Sequence, residues 1–144
     1  MNNKRYKVVV DTNILLSAIP KKSEYHWIID KISNDEIDIF ITNDILMEYE
    51  EILEKKSNPI IKSLTVDFLL NADNVYKIFS YYKLGLITID PDDNKFVDCA
   101  YTAGADFIIS HDKHFDILNS ISFPRIKVIS VEEFKALFDS QNIK

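Results

Sequence analysis

Val8-Val9-Val10 is a short run with apolar side chains on both faces, and Asp11-Thr12-Asn13 follows it at once, before Ile14-Leu15-Leu16. A strand apolar on both faces belongs inside a sheet that is covered on both sides. A carboxylate, a hydroxyl and an amide at its carboxyl end stand where open α/β sheets keep their ligands. The rest of the chain must therefore supply neighbouring strands and helices for both faces.

The remaining periodicities meet that demand. Residues 5–10 read as the first strand, and 13–19 as a short helix ended by Pro20. After the polar loop Lys21-Lys22-Ser23, the residues Tyr25, Ile28, Ile29 and Ile32 share one helical face, which predicts a helix over 24–34. A second strand is expected at 37–41. A helix over 43–56 follows, capped by Thr42 or Asn43 and broken by Ser57-Asn58-Pro59. Residues 62–79 read as one or two amphipathic helices. Leu86-Ile87-Thr88-Ile89 reads as a third strand, Asp90-Pro91-Asp92-Asp93 as a turn, and 93–103 as a helix. Phe107-Ile108-Ile109-Ser110 is a fourth strand, Ile126-Lys127-Val128-Ile129 a fifth, and 131–138 a closing helix. Strands alternating with helices imply one domain, 1–144, with a three-layer α/β/α architecture and a mainly parallel, roughly five-stranded sheet.

Composition bounds the rest. The chain has 144 residues, of which 47% are hydrophobic, enough for a proper core in one domain. No stretch approaches the roughly 18 apolar residues of a membrane span. The start of the chain leads into a strand rather than a signal-peptide segment. The single cysteine, Cys99, has no partner for an internal disulfide. A cytoplasmic location is expected. A net charge of −6 weighs against nucleic-acid binding, where phosphates call for Lys and Arg. A group of carboxylates built around a cation would produce the same acidic sum without making the binding face acidic.

Several acids fit such a group, each beside a plainer reading. Asp11 stands where a helix cap would, although Thr12 or Asn13 is equally able to cap and so free it. Asp112 bears the same relation to the fourth strand, and a turn or cap is its plainer role. On the helix over 93–103, Phe96, Val97, Ala100 and Gly104 form one face. Asp93 lies near the centre of that face, whereas Asp92 and Asp98 lie more than a quarter-turn away. Asp98 then reads as a peripheral acid, and as the alternative should the helix register differ. On the helix over 43–56, Glu51 and Glu54 face away from the apolar stripe. Glu48 and Glu50 border it on opposite sides, and periodicity does not choose between them. Carboxylates pressed together repel and raise one another's pKa. Mg²⁺ or Mn²⁺, hard cations that prefer oxygen ligands, would relieve that repulsion.

Val9-Val10-Asp11-Thr12-Asn13, Leu46-Met47-Glu48-Tyr49, Asp90-Pro91-Asp92-Asp93-Asn94-Lys95-Phe96 and Ala105-Asp106-Phe107-Ile108-Ile109-Ser110-His111-Asp112 occur in that order. The ordered set resembles the PIN-domain proteins, in the branch of toxin components of bacterial and archaeal toxin–antitoxin systems, and is similar to the VapC toxins. The resemblance runs from the first strand to Val131-Glu132-Glu133-Phe134. It implies an Mg²⁺- or Mn²⁺-dependent ribonuclease that hydrolyses phosphodiester bonds of single-stranded RNA. Its acids carry over as Asp11, Glu48, Asp93 and Asp112, which selects Glu48 over Glu50. Thr12, Asn13 and Ser110 match supporting positions, with Ser110 where the family usually has Thr. Lys95 and Lys113 lie beside these acids and are candidate phosphate contacts, with Lys21 and Lys22 extending the track. The resemblance also implies a protein antitoxin and a homodimer, with apolar residues of 24–34 and 62–79 as its surface. Two other functions share the same acids: a PIN-type nuclease in RNA processing or on structured DNA, and a catalytically silent binding module. His26, His111, His114 and Cys99 read as packing or surface residues. Trp27, off the Tyr25–Ile32 stripe, reads as packing, with base stacking as the alternative.

Overall fold

The computed structural model describes residues 5–142. In chain order the elements are β1 (Lys7–Val10), α1 (Thr12–Ala18), α2 (Trp27–Ser33), β2 (Asp38–Ile41), α3 (Asn43–Lys56), α4 (Pro59–Asn71), β3 (Val75–Lys77), α5 (Asn94–Ala103), β4 (Phe107–Ile109), β5 (Val128–Ile129) and α6 (Val131–Asn142). Two 3₁₀ turns, Pro91–Asp93 and Lys113–Ser120, flank α5 and follow β4.

The sheet is parallel throughout, in the order β3-β2-β1-β4-β5. β1 is its middle strand, and Val8, Val9 and Val10 are at most 1% exposed. This is the two-sided burial expected of a parallel sheet covered by helices. Helix α5 packs along β1, β2 and β4. Trp27 of α2 and Phe134 and Phe138 of α6 form an aromatic cluster that takes in Tyr6 and Phe107, with contacting ring centroids 5.1–6.3 Å apart. Trp27 is thus a packing residue.

Strand register places the site. Val10 pairs with Ile109, so the residues that follow, Asp11 and Ser110, emerge side by side from one end of the sheet. The Asp11 N–H continues the ladder to the Ile109 carbonyl at 3.0 Å.

Two expectations fail. The stretch 62–79 is not wholly helical: α4 stops at Asn71, and Val75–Lys77 forms the edge strand β3 beside β2. The buried Asn74 side chain makes the turn possible, donating to the Ile32 and Ile37 carbonyls at 2.9 and 2.7 Å. Ser57-Asn58-Pro59 ends α3 at Lys56 as expected, and Pro59 also opens α4, where Asn58 caps the helix through the Ile61 N–H at 2.9 Å. Residues 86–89 are not a strand. Ile87 has its N–H and carbonyl bound by the Asn94 side-chain amide at 2.9 and 2.8 Å, so one side chain substitutes for a ladder partner. Helix α5 closes at Gly104, whose φ of 64° is the left-handed conformation that favours glycine.

Candidate metal centre

β1 delivers Asp11, β4 delivers Ser110 and Asp112, α3 delivers Glu48, and the turn before α5 delivers Asp93. The four acids approach one another, and small polar groups hold three of them, Asp11, Glu48 and Asp112. Ser110 Oγ donates to Asp11 Oδ2 at 2.7 Å and accepts the Asp112 N–H at 3.0 Å. Thr12 Oγ1 donates to Glu48 Oε2. The Glu48 helix is fastened to the sheet by its neighbour Tyr49, whose buried hydroxyl donates to the Val10 carbonyl.

The capping roles fall out differently from the sequence reading. Asp11 does cap α1, through Oδ1 and the Thr12 N–H at 2.8 Å. Neither Thr12 nor Asn13 replaces it, and its second oxygen still faces Ser110. Asp112 caps the turn that follows it, through the His114 N–H at 2.9 Å. Asp93 occupies the cap position of α5 but makes no capping bond there. Capping and membership of the cluster are compatible because a carboxylate has two oxygens.

The electrostatics record the crowding. Asp11 is 7% exposed. Burial pushes its carboxyl upward, and the charges of Asp112 and Glu48 add to that, against the hydrogen bonds from Ser110 and Thr12. Asp93 is pushed up to about 6, first by burial and then by Asp90, Asp112 and Asp11, despite a hydrogen bond with His114. His114 is raised in turn, chiefly by that bond, with the charges of Asp112, Asp93 and Asp90 adding to it. Its Nδ1 lies 3.2 Å from Asp93 Oδ2, 3.4 Å from Asp112 Oδ1 and 3.8 Å from Asp90 Oδ2.

Two residues at this centre were not anticipated. Ligand atoms of Asp90, Asp93 and His114 all lie within 4.8 Å of one another. Asp90 was expected only in a turn, and His114 only in a surface or packing role. The available signal was spacing: Asp90 stands three residues before Asp93, and His114 two after Asp112. Asp98 is another departure. It is buried rather than peripheral, and its Oδ1 accepts the Leu84 N–H at 3.1 Å.

The remaining candidates divide. Lys95 Nζ binds Glu48 Oε1 at 2.8 Å and Asp92 Oδ2 at 3.2 Å, so it stands at the rim of the cluster. Lys113 is exposed directly after Asp112, and Lys21 and Lys22 are exposed in their loop without a bond to the acids. Asn13 is exposed and hydrogen-bonds to none of the acids; it lines a groove between α1, α3 and α4. Glu51 and Glu54 pair with Lys55 and Lys62 at the surface, as their helical phase requires. Exposed apolar side chains gather on α4, at Ile60, Ile61, Leu64 and Leu70, whereas α2 turns its apolar residues inward.

The donor set suits a hard divalent ion: carboxylate oxygens predominate, with one imidazole beside them. Grouped anions, one of them held near pH 6, are what a cation would relieve.

Comparison with solved structures finds the same fold elsewhere. VapBC2 from Rickettsia felis, solved bound to a DNA fragment from their promoter, is similar with a TM-score of 0.59 and 17% identity, over 86% of this chain and 98% of that one. FitAcB from Neisseria gonorrhoeae gives 0.54 and 12%, over 87% and 98%. The PIN domain endonuclease Utp24 gives 0.51 and 15%, over 87% and 84%. No curated protein sequence matches the chain significantly. The family model described as PIN domain matches residues 7–114. That span begins with β1 and takes in every acid of the cluster, and the chain belongs to the PIN domain family.

Proposed function

We propose that the chain is an Mg²⁺- or Mn²⁺-dependent endoribonuclease that hydrolyses phosphodiester bonds of single-stranded RNA, as the toxin of a toxin–antitoxin pair. The observation that carries the reading is the meeting of Asp11, Glu48, Asp93 and Asp112 at one sheet end, with Asp93 pushed up to about 6. When bound, the ion supplies Lewis-acid polarisation of the phosphate and of the attacking water.

The chain's own residues have separable tasks. Asp11, Glu48, Asp93 and Asp112 would hold the ion; Asp93 also stands with Asp90 and His114, whose ligand atoms all lie within 4.8 Å of one another, so these two are further candidate ligands. Ser110 and Thr12 fix the rotamers of Asp11 and Glu48 through their hydroxyls. Lys95 neutralises Glu48 and stands ready to meet a phosphate oxygen. His114 keeps a proton at Nδ1 between Asp93 and Asp112. Similarity in fold to VapBC2 and FitAcB supports a protein antitoxin as partner and a second copy of the chain, with the exposed face of α4 as one contact surface.

The test is Mn²⁺-dependent cleavage of an RNA panel by the wild type and Asp11→Asn. Asparagine preserves the α1 cap and removes the charge. Loss of cleavage with the folded circular-dichroism spectrum retained is expected; equal cleavage by both proteins refutes the reading. Similarity to Utp24 supports a second reading, a nuclease of RNA processing or of structured DNA. Hairpin RNA and branched DNA in the panel separate it.

A further inference from the structure

A small cavity of about 240 Å³ opens beside the acid cluster, lined by Asn43, Phe79, Ser80, Tyr82, Lys83 and Lys95 among others. We propose that it is a base subsite, taking one nucleobase of the single-stranded substrate against the rings of Phe79 and Tyr82; this rests on the nuclease reading above.

Four observations lead there. The first is aromatic exposure. Phe79 is 71% exposed, Tyr81 87% and Tyr82 51%, within one short segment. Phe79 and Tyr81 lie nearly parallel at 28°, with centroids 6.4 Å apart. Exposed rings beside lysines, here Lys83 and Lys95, are a combination by which single-stranded nucleic acids are held without a fixed sequence.

The second is rigidity. Ser80 Oγ is within hydrogen-bond distance of the Asp98 carbonyl, the Tyr82 carbonyl and Thr102 Oγ1. Asp98 holds the Leu84 N–H, and Tyr82 packs edge-on against Tyr101 at 5.0 Å. The aromatic segment is therefore pinned to α5, the helix whose first turn carries Lys95 and which Asp93 precedes. This gives the buried Asp98 a task that the acid cluster does not.

The third is continuity. Lys95 both lines the cavity and binds Glu48. A base seated in the cavity thus has its backbone directed along Lys95 towards the carboxylates. The larger groove between α1, α3 and α4, about 480 Å³, has no aromatic ring in its lining.

The fourth is size and charge. Drug-sized ligands fill pockets of about 300–1,000 Å³, and this one is smaller, which suits a single ring system. Its walls carry both signs, Lys83 and Lys95 against Asp44 and Asp98. Mixed walls favour a neutral base with donors and acceptors over a free phosphate.

The experiment measures fluorescence anisotropy of labelled hexameric RNAs of adenine, cytosine or uracil, and of an abasic hexamer, in Mn²⁺. All proteins carry Asp11→Asn so that bound RNA persists. Tyr82→Ala and Phe79→Ala are each expected to weaken binding of the base-bearing hexamers by about five- to a hundred-fold. Tyr82→Phe should bind normally, and the abasic hexamer should not distinguish the variants. Unchanged affinity in both alanine variants, or an equal loss on the abasic hexamer, overturns the subsite. Cleavage by the Asp11-bearing protein decides the nuclease reading separately: RNA held at Tyr82 without any cleavage would sink that reading and leave the subsite standing.

Discussion

At the scale of single residues, Asp93 gives the sharpest expectation. Its carboxyl sits at about 6, against an ordinary 3.8. The folded chain holds that proton more tightly than the unfolded chain does. Stability from this source is fully present below 3.8 and is lost progressively as the pH rises from there through about 6. His114, raised by Asp93, acts in the same direction, and its contribution too is lost as the pH rises. Metal-free protein should therefore melt higher near about pH 5.5 than near about pH 7.5, and Asp93→Asn should flatten the difference. The gap at Asp93 corresponds to on the order of 3 kcal/mol, so Asp93→Asn should raise metal-free stability at neutral pH by about 1–3 kcal/mol. Differential scanning calorimetry across pH checks both. This scale is also where sequence reading reached least far. Helical phase picked out Asp93, but it left Glu48 and Glu50 equivalent because both border the stripe. What distinguishes Glu48 is a hydroxyl 36 positions away, Thr12, and no local pattern records that contact. His114 was missed for a similar reason, since two of its three partners, Asp90 and Asp93, lie in a turn more than twenty positions before it.

At the scale of elements, side-chain amides do work that periodicity attributes to backbone. Asn94 satisfies Ile87 from inside a helix, and Asn74 ties the turn before β3 to the end of α2. Asn94→Ala should free the 84–90 segment, seen as faster amide exchange at Ile87, while the core amides of β1 and β4 stay protected. Asn74→Ala should cost about 2 kcal/mol in urea unfolding, since it leaves a buried carbonyl short of a donor. These bonds also explain which elements were legible. β1, β2 and β4 are read correctly because both faces are apolar or alternate cleanly. The strand expected at 86–89 and the helix expected through 75–77 fail because short apolar runs are ambiguous in period. Their state was set by an asparagine on another turn or by an open sheet edge.

At the scale of the whole molecule, a net charge of −6 and a convergent acid cluster should repel a nucleic-acid backbone. Binding of single-stranded RNA should accordingly be weak in EDTA, tighten when Mn²⁺ is added, and fall with salt. Mn²⁺ should also raise the melting temperature saturably, by about 2.7 kcal/mol of added stability at a hundredfold excess over its dissociation constant. Glu48→Gln should remove most of that gain.

One feature of the sheet bears on the life of the chain before it is finished. β1 is made first, yet one of its two flanks is β4, some hundred positions later, through the pairing of Val8 with Phe107. A nascent polypeptide released ahead of Phe107 lacks both that flank and the last carboxylate. Translation must therefore pass Asp112 before the full set of carboxylates can be assembled at the sheet end.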